Sequence, residues 1–192
     1  MLSLQGAVSE HFSAVERTLK ELKKPGRVFL IRQKRDIDGI DALIIPGGES
    51  TTIARILTNT GIYDAVLKRI EQKDLTIMGT CAGCVLLAKD LVDPKPKIGL
   101  LSAMDMQVER NAFGRQCESF EHSITIKGLS SPFNAVFIRA PVITKVWGDC
   151  EVLATLENKI VMAKQENFLA LSFHPELTND LRIHRFFIKM LY

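Results

Sequence analysis

The sequence predicts an α/β protein of three layers, in which helices cover both faces of a mixed central sheet. In the first half of the chain, short apolar strands alternate with amphipathic segments of helical length. That alternation is typical of parallel strands joined by helical crossovers. In the second half, strand-like segments follow one another, and several show period-two alternation. Residues 1–192 are long enough for one compact domain, and we expect a single one.

The first half of the chain supplies the parallel part of the predicted sheet. Apolar runs predict strands, and apolar residues at a spacing of 3.6 predict helices. The predicted strands are residues 1–4, 28–32, 42–46 and 75–79. The predicted helices are residues 9–23, 51–60, 63–72 and 82–89.

The second half is expected to complete the sheet with mainly antiparallel strands. The predicted strands are residues 104–110, 118–126, 135–139 and 152–156. Residues 160–164 and 168–173 flank a short polar connection at 165–167, which is typical of a hairpin. Apolar and basic residues at helical spacing predict a final helix over residues 180–191.

Composition excludes several classes of protein. The 25 basic and 22 acidic residues leave a net charge of only +3, so no clustered positive surface for nucleic acid is expected. No apolar run approaches the roughly 20 residues that span a bilayer. Residues 1–11 lack the basic start and apolar run of a signal peptide, so we expect a cytoplasmic protein without a disulfide framework. Cys117 and Cys150 are therefore interpreted as buried or bystander thiols.

The strongest chemical signal is Gly79-Thr80-Cys81-Ala82-Gly83, which follows an apolar strand and precedes a helix. Flanking glycines permit the tight strand-to-helix turn that exposes a nucleophile. A cysteine at a helix N-terminus also gains thiolate character from the helix dipole and the free N–H groups. The alternative, a buried cysteine after a strand, does not explain a glycine on both sides. Cys81 is therefore the candidate nucleophile.

A nucleophilic cysteine needs a base and a group that orients the base. His174 follows the apolar strand 168–173 and begins His174-Pro175-Glu176. If that strand lies beside strand 75–79, both groups emerge at the carboxyl edge of the sheet, where open α/β sheets place their sites. Glu176 is then close enough to hold the imidazole tautomer. The other histidines, His11, His122 and His184, are interpreted as surface or packing residues.

The segment Pro46-Gly47-Gly48-Glu49-Ser50-Thr51-Thr52 joins a buried strand to a helix, for which we expect a Ser or Thr cap. The double glycine lets backbone N–H groups approach a ligand. A phosphate loop lacks support because the Gly-Lys-Ser/Thr ending is absent. We expect an oxyanion hole with Gly48 and Ala82 as donors. A plain strand-to-helix turn is the alternative.

These blocks, in this order, resemble the class I glutamine amidotransferases, and among them the glutaminase subunits of pyridoxal 5'-phosphate synthases. The resemblance spans almost the whole chain and implies a flavodoxin-like fold. The matching blocks are Ser3 to Val8 with Glu10-His11, Pro46 to Thr52, Gly79 to Gly83, Val108 to Gln116, Glu118 to Glu121, Phe137 to Pro141 and Phe173 to Thr178. Two features depart from the family: the opening strand is short, and Cys84 stands where the family usually has an aliphatic residue.

The resemblance implies a mechanism and a partner. Cys81 attacks the side-chain amide of L-glutamine, His174 shuttles the proton and Glu176 orients His174. The implied glutamine-binding residues are Gly47, Gly48, Glu49, Arg110, Ile138 and Arg139. Ammonia passes to a synthase subunit, which is a phosphosugar-using barrel enzyme, in a hetero-oligomeric complex, and residues 5–7 match a partner-sensitive loop. No metal or cofactor is implied. Taken alone, Arg110 and Arg139 would be assigned to ordinary surface ion pairs.

Three other interpretations are open at this point. Cys81-Ala82-Gly83-Cys84 at a helix start is also typical of thiol-disulfide redox proteins, and its oxidation would inactivate a glutaminase. The glutaminase of imidazole glycerol phosphate synthase shares the chemistry, but the Val108 to Asn111 and Ile138 to Pro141 blocks disfavour it. A non-catalytic interaction protein is the third, and the intact triad disfavours that interpretation.

Overall fold

A computed structural model describes residues 1–93, 97–110, 112 and 119–192. Cys117 and Glu118, the latter the first residue of a predicted strand, lie outside these residues, as does most of the segment 111–118. The helices are α1 Val8–Leu22, α2 Ser50–Asn59, α3 Ile62–Glu71, α4 Ala82–Leu87 and α5 Arg182–Lys189, with 3-10 turns at Lys34–Ile37 and Pro175–Leu177. The strands are β1 Ala42–Ile45, β2 Thr76–Thr80, β3 Ala88–Leu91, β4 Met104–Glu109, β5 Ser119–Ile124, β6 Phe133–Ile138, β7 Val142–Val146, β8 Glu151–Leu156, β9 Lys159–Gln165 and β10 Phe168–Leu171.

Within these residues, eight strands form one mixed sheet. Its order is β1-β2-β10-β9-β7-β4-β3, and β8 pairs with β9. The strand β2 lies between β1 and β10 and runs parallel to both, with Leu171 opposite Thr80. The predicted hairpin is confirmed, because β9 and β10 pair antiparallel. The two strands that lead to Cys81 and His174 therefore end side by side.

Alternate residues of the central strands enter separate cores, which explains the three layers. Leu43 and Ile45 of β1 pack with α2, α3 and α4 on one face, while Ile44 faces the other. On that second face Met78 of β2 and Leu169 of β10 pack against α1 and α5. Strands buried on both faces explain the nearly continuous apolar runs of the sequence.

Several predicted elements differ from the structure. Residues 1–4 and 28–32 form no named strand and share only one parallel bridge, Leu2 with Ile31. The predicted helix 82–89 ends at Leu87, because Ala88 adopts an extended backbone and starts β3. The strand β7 was not predicted, since its residues do not alternate between buried and exposed. The strands β5 and β6 form a separate antiparallel pair rather than joining the central sheet.

None of the helices within the described part of the chain is both long and apolar enough to cross a membrane.

Candidate active site

Cys81 lies in the sharp turn between β2 and α4. Its backbone has φ 50° and ψ −104°, a conformation that L-residues rarely adopt and that typically marks functional sites. Its N–H donates to the carbonyl of Leu171 at 2.8 Å, so β10 holds the turn in place. A Cβ at Gly83 would overlap the carbonyl oxygen of Ile45, so α4 packs against β1 at this point only with a glycine. The sequence therefore folds into the predicted nucleophile elbow.

His174 follows β10 and faces the same edge of the sheet. Its backbone N–H donates to the carbonyl of Val136 in β6 at 2.8 Å, which fixes the chain after the strand. Its Nδ1 lies 2.7 Å from Oε1 of Glu176, which belongs to the 3-10 turn Pro175–Leu177. Both side chains are buried. The carboxylate accepts from Nδ1–H, which leaves Nε2 for the thiol.

The charge state of His174 follows from its neighbours. Burial lowers the pKa of the imidazole, but hydrogen bonds to Cys81 and Glu176, with their charges, outweigh it and raise the pKa to about 10. The residue therefore carries a proton at neutral pH. A positively charged imidazole beside a thiol favours the thiolate, the nucleophilic form of cysteine.

We expect the Cys81→Ala variant to lower the pKa of His174, because one of the two hydrogen bonds that raise it is lost. Histidine ¹³Cε1 chemical shifts measured against pH would report the change. The His122→Gln variant would show which signal belongs to the exposed histidine, so that it is not mistaken for that of His174. In the unchanged chain, the stability that protonated His174 contributes is complete below pH 6.5 and is lost as pH rises through about 10. An identical titration in Cys81→Ala would contradict the contact.

The double glycine lies directly against this pair. A Cβ at Gly47 would overlap Cε1 of His174 and lie 3.3 Å from Cβ of Cys81, so the loop closes one side of the site. Gly48 has φ 151°, within the range that L side chains rarely adopt. Ala82 is the first residue of α4, where a backbone N–H has no intrahelical acceptor. These features suit the predicted oxyanion hole, and its donors stay a prediction.

The family model of the SNO glutamine amidotransferases matches residues 1–192. The chain belongs to this family.

Three proteins of known name match this chain over nearly its full length. "Pyridoxal 5'-phosphate synthase subunit PdxT" of Archaeoglobus fulgidus is 49% identical over 192 residues, 99% of this chain and 96% of the relative. The protein of the same name from Thermus thermophilus is 47% identical over 192 residues, 99% of this chain and 95% of the relative. The one from Pyrococcus horikoshii is 44% identical over 190 residues, 98% of this chain and 96% of the relative.

Solved structures agree with the family assignment and confirm the predicted fold class. A crystal structure of a glutamine amidotransferase has a TM-score of 0.89 and 45% identity, covering 99% of this chain and 96% of that one. A glutamine amidotransferase of Thermotoga maritima has a TM-score of 0.62 at 12% identity, covering 98% of this chain and 80% of that one. The second likeness concerns the fold alone.

The residues of this chain that are predicted to bind glutamine lie in different parts of the structure. The Sγ of Cys81 lies 3.7 Å from the carbonyl oxygen of Ile138, the last residue of β6. Arg139 follows with φ 42°, an unusual backbone for an arginine at the edge of the site. Arg110 is partly buried directly after β4, whose last residues pair with the start of β7. Their roles in binding glutamine stay predictions.

Glu49 has a structural role that the sequence interpretation missed. We expected a Ser or Thr cap on α2, but the N-cap is Glu49, whose carboxylate accepts from the N–H groups of Thr51 at 2.9 Å and Thr52 at 2.6 Å. Burial raises the pKa of this carboxyl, but the hydrogen bonds prevail and lower the pKa to about 2. Its own N–H donates to Oε1 of Gln5 at 3.2 Å. Glu49 therefore caps α2 with its carboxylate and connects the helix to the loop at residues 5–7 through its backbone N–H.

We expect Glu49→Ala to lower the free energy of unfolding by about 1 kcal/mol, the usual loss on removing a helix N-cap. The folded-state pKa is depressed, so the contribution is present above about pH 4.5 and is lost as pH falls through about 2. Urea denaturation at pH 7 and at pH 3 would test this, with Glu16→Ala on the exposed face of α1 as the control. An equal loss at both pH values would contradict the role of the charge.

His11 and His184 are not surface residues. Both are fully buried, with His11 Nδ1 3.1 Å from His184 Nε2, and His11 Nε2 3.2 Å from Oε2 of Glu176. A signal was present in the sequence: the buried face of α1 consists of His11, Ala14, Val15 and Thr18, a spacing of i, i+3, i+4 and i+7 that includes the histidine. The third, His122, is exposed on β5, as expected.

The redox alternative is not supported. Cys84 lies on α4 and is fully buried in the core, and burial raises the pKa of its thiol far above the usual range. A thiol that stays protonated and out of contact with solvent is a poor partner for disulfide exchange. Cys150 is also buried, and burial raises the pKa of its thiol to about 11. Within the described residues, no group of three or more His, Cys, Asp or Glu side chains is arranged to hold a metal ion.

Proposed function

We propose that this chain is the glutaminase subunit of a pyridoxal 5'-phosphate synthase. It hydrolyses L-glutamine to L-glutamate and ammonia with Cys81, His174 and Glu176 as its catalytic triad. The observation that carries the proposal is the strained cysteine at the end of β2 beside a histidine that is hydrogen-bonded to a buried carboxylate. That combination has the nucleophile, base and orienting group of acyl-transfer enzymes.

The reaction proceeds in two halves. The Cys81 thiolate attacks the side-chain amide carbon of glutamine, and the backbone N–H groups of Gly48 and Ala82 stabilise the oxyanion that forms. His174 gives its proton to the departing nitrogen, so ammonia leaves and a glutamyl thioester remains. A water molecule, deprotonated by His174, then attacks the thioester. Glutamate leaves, and the proton from water restores the protonated imidazole beside the thiolate.

The substrate is held by residues around this pair. Arg110 pairs bidentately with the α-carboxylate of glutamine, for which the planar guanidinium is suited. Ile138 and Arg139 border the site next to Cys81, and Gly47, Gly48 and Glu49 border it next to His174. A loop with glycine at two successive positions lets the amide of the substrate approach the backbone closely.

Ammonia released in this site needs an acceptor, and the names of the relatives point to one. They are subunits of pyridoxal 5'-phosphate synthase, so we infer that a synthase subunit, which is a barrel enzyme that uses a phosphosugar, receives the ammonia in a hetero-oligomeric complex. Residues 5–7 are the loop through which that partner stimulates turnover. In this proposal residues 1–192 form one cytoplasmic domain that uses no cofactor and binds no nucleic acid or membrane.

The proposal is tested by measuring ammonia release from glutamine with and without a synthase subunit from the same organism. We expect partner-stimulated turnover that Cys81→Ala abolishes and that Cys150→Ala, the matched cysteine control outside the site, retains. Transfer of ¹⁵N from the side-chain amide of glutamine into pyridoxal 5'-phosphate would establish the pathway. No turnover under either condition, with Cys81 and Cys84 cycling between dithiol and disulfide, would favour a redox protein.

A further inference from the structure

A buried polar cluster, made of His11, Thr80 and His184, lies directly behind Glu176. The three side chains come from α1, the end of β2 and α5, and none is exposed to solvent. Nε2 of His11 lies 3.2 Å from Oγ1 of Thr80 and 3.2 Å from Oε2 of Glu176. The imidazole of His11 therefore contacts both the residue that precedes the nucleophile and the carboxylate that orients the base.

The protons of this cluster can be assigned by counting donors and acceptors. If His11 carries its proton on Nε2, it donates to the Glu176 carboxylate and accepts at Nδ1 from Nε2–H of His184, 3.1 Å away. Two groups are then left over among the described residues: the unprotonated Nδ1 of His184, and the hydroxyl hydrogen of Thr80, whose oxygen can only accept from Nε2–H of His11. The opposite tautomer would bury an N–H of His184 without an acceptor and turn a lone pair of His11 towards the carboxylate.

We propose that His11 is a positioning residue, which donates from Nε2 to Oε2 of Glu176 and thereby holds Oε1 against Nδ1 of His174. This inference rests on the proposed triad. The contact is at hydrogen-bond distance but is poorly aligned, since Oε2 has no well-aligned partner among the described residues. A buried carboxylate oxygen without a donor is costly, so a modest rotation that aligns the two groups is favoured.

His11 suits this role because it stays neutral. Burial, with the charges of His184 and His174, holds the pKa of His11 well below its usual value, and burial lowers the pKa of His184 to about 4. A neutral imidazole donates a hydrogen bond without adding a second positive charge beside His174. The carboxylate of Glu176 therefore meets only one positively charged imidazole, that of His174, during turnover.

The test compares kcat and KM of the partner-activated glutaminase for three variants. His11→Leu removes the donor and is expected to lower kcat about 10-fold with KM for glutamine within about twofold, because an outer contact that orients a catalytic group is worth roughly 10- to 100-fold. His11→Gln keeps one N–H donor and one acceptor, so it should stay within about threefold of the unchanged chain. Thr18→Val is the control, since Thr18 is buried on the same helix and, within the described part of the chain, its hydroxyl bonds only to the carbonyl of Ala14.

The outcomes distinguish positioning from packing. A kcat for His11→Leu equal to that of Thr18→Val, or a loss in His11→Gln as large as in His11→Leu, would overturn the inference. If His11→Leu does not fold, His11→Asn replaces it: its amide is as polar as that of His11→Gln but one methylene too short to reach Glu176, so a smaller kcat in Asn than in Gln is expected. Retained activity in Cys81→Ala would instead refute the proposed function itself.

Discussion

The His174→Ala variant is expected to lose at least about 10⁴-fold in kcat for glutamine hydrolysis, the scale seen when a triad histidine is removed from other acyl-transfer enzymes. The loss follows from two functions of the imidazole. In the proposed mechanism it protonates the departing nitrogen, and its positive charge stabilises the thiolate of Cys81. Glu176, which lies 2.7 Å from Nδ1 of His174, has a carboxyl group that never carries positive charge, so it cannot stabilise the thiolate in place of the imidazole.

Steady-state ammonia release in the presence of the synthase subunit would measure this loss. His122→Ala is the matched control, because this histidine lies exposed on β5 and, among the described residues, its ring bonds only to the adjacent carbonyl of Ser123. Activity within a few fold of the unchanged chain in His174→Ala would mean that another group acts as the base. Equal losses in both variants would indicate a general effect on folding.

The Gly47→Ala variant is expected to lose about 10²-fold in kcat while the chain stays folded. The added Cβ would overlap Cε1 of His174, so either the ring or the glycine loop must shift. A displacement of about 1 Å in a catalytic group is enough for a loss of this size. Overpacking of this kind also lowers the free energy of unfolding by about 1–3 kcal/mol.

Gly99→Ala provides the matched control for this substitution. A Cβ at Gly99 would meet only Cε2 of Tyr63, at 3.7 Å, which is ordinary contact. We expect its kcat and its urea midpoint to match those of the unchanged chain. If Gly47→Ala shows full activity, the loop does not lie against His174 in the working enzyme, and the oxyanion-hole assignment to Gly48 would lose its support.

Much of the fold was predictable because its central strands are buried on both faces. Such strands give continuous apolar runs, and β1, β2 and β10 were predicted to within two residues at each end. Residues 1–4 and 28–32 also have strand composition, but they meet only at Leu2 and Ile31, and composition carries no information about how many partners a segment finds. The strand β3 was not predicted. Its first residues, Ala88 and Lys89, are good helix formers and were therefore assigned to the predicted helix 82–89.

The candidate site was predictable where local sequence determines local geometry. Glycines on both sides of Cys81 and the His174-Pro175-Glu176 turn after a strand both give short-range signals. The cap at Glu49 is also local, but glutamate is not among the usual cap residues and was therefore missed. The contact of His11 with Glu176 depends on where distant segments meet. His11 and Glu176 are separated by 165 residues of sequence, and no pattern within either helix or turn specifies the neighbour across the core.

The backbone of Cys81 also has a consequence for protein engineering. A sequence optimised only for thermal stability would favour glycine at position 81, since glycine adopts φ 50° without a steric penalty. The enzyme would then become more stable and lose its reaction. Position 81 is thus a point of local frustration, and redesign of this chain has to hold it fixed while neighbouring positions vary.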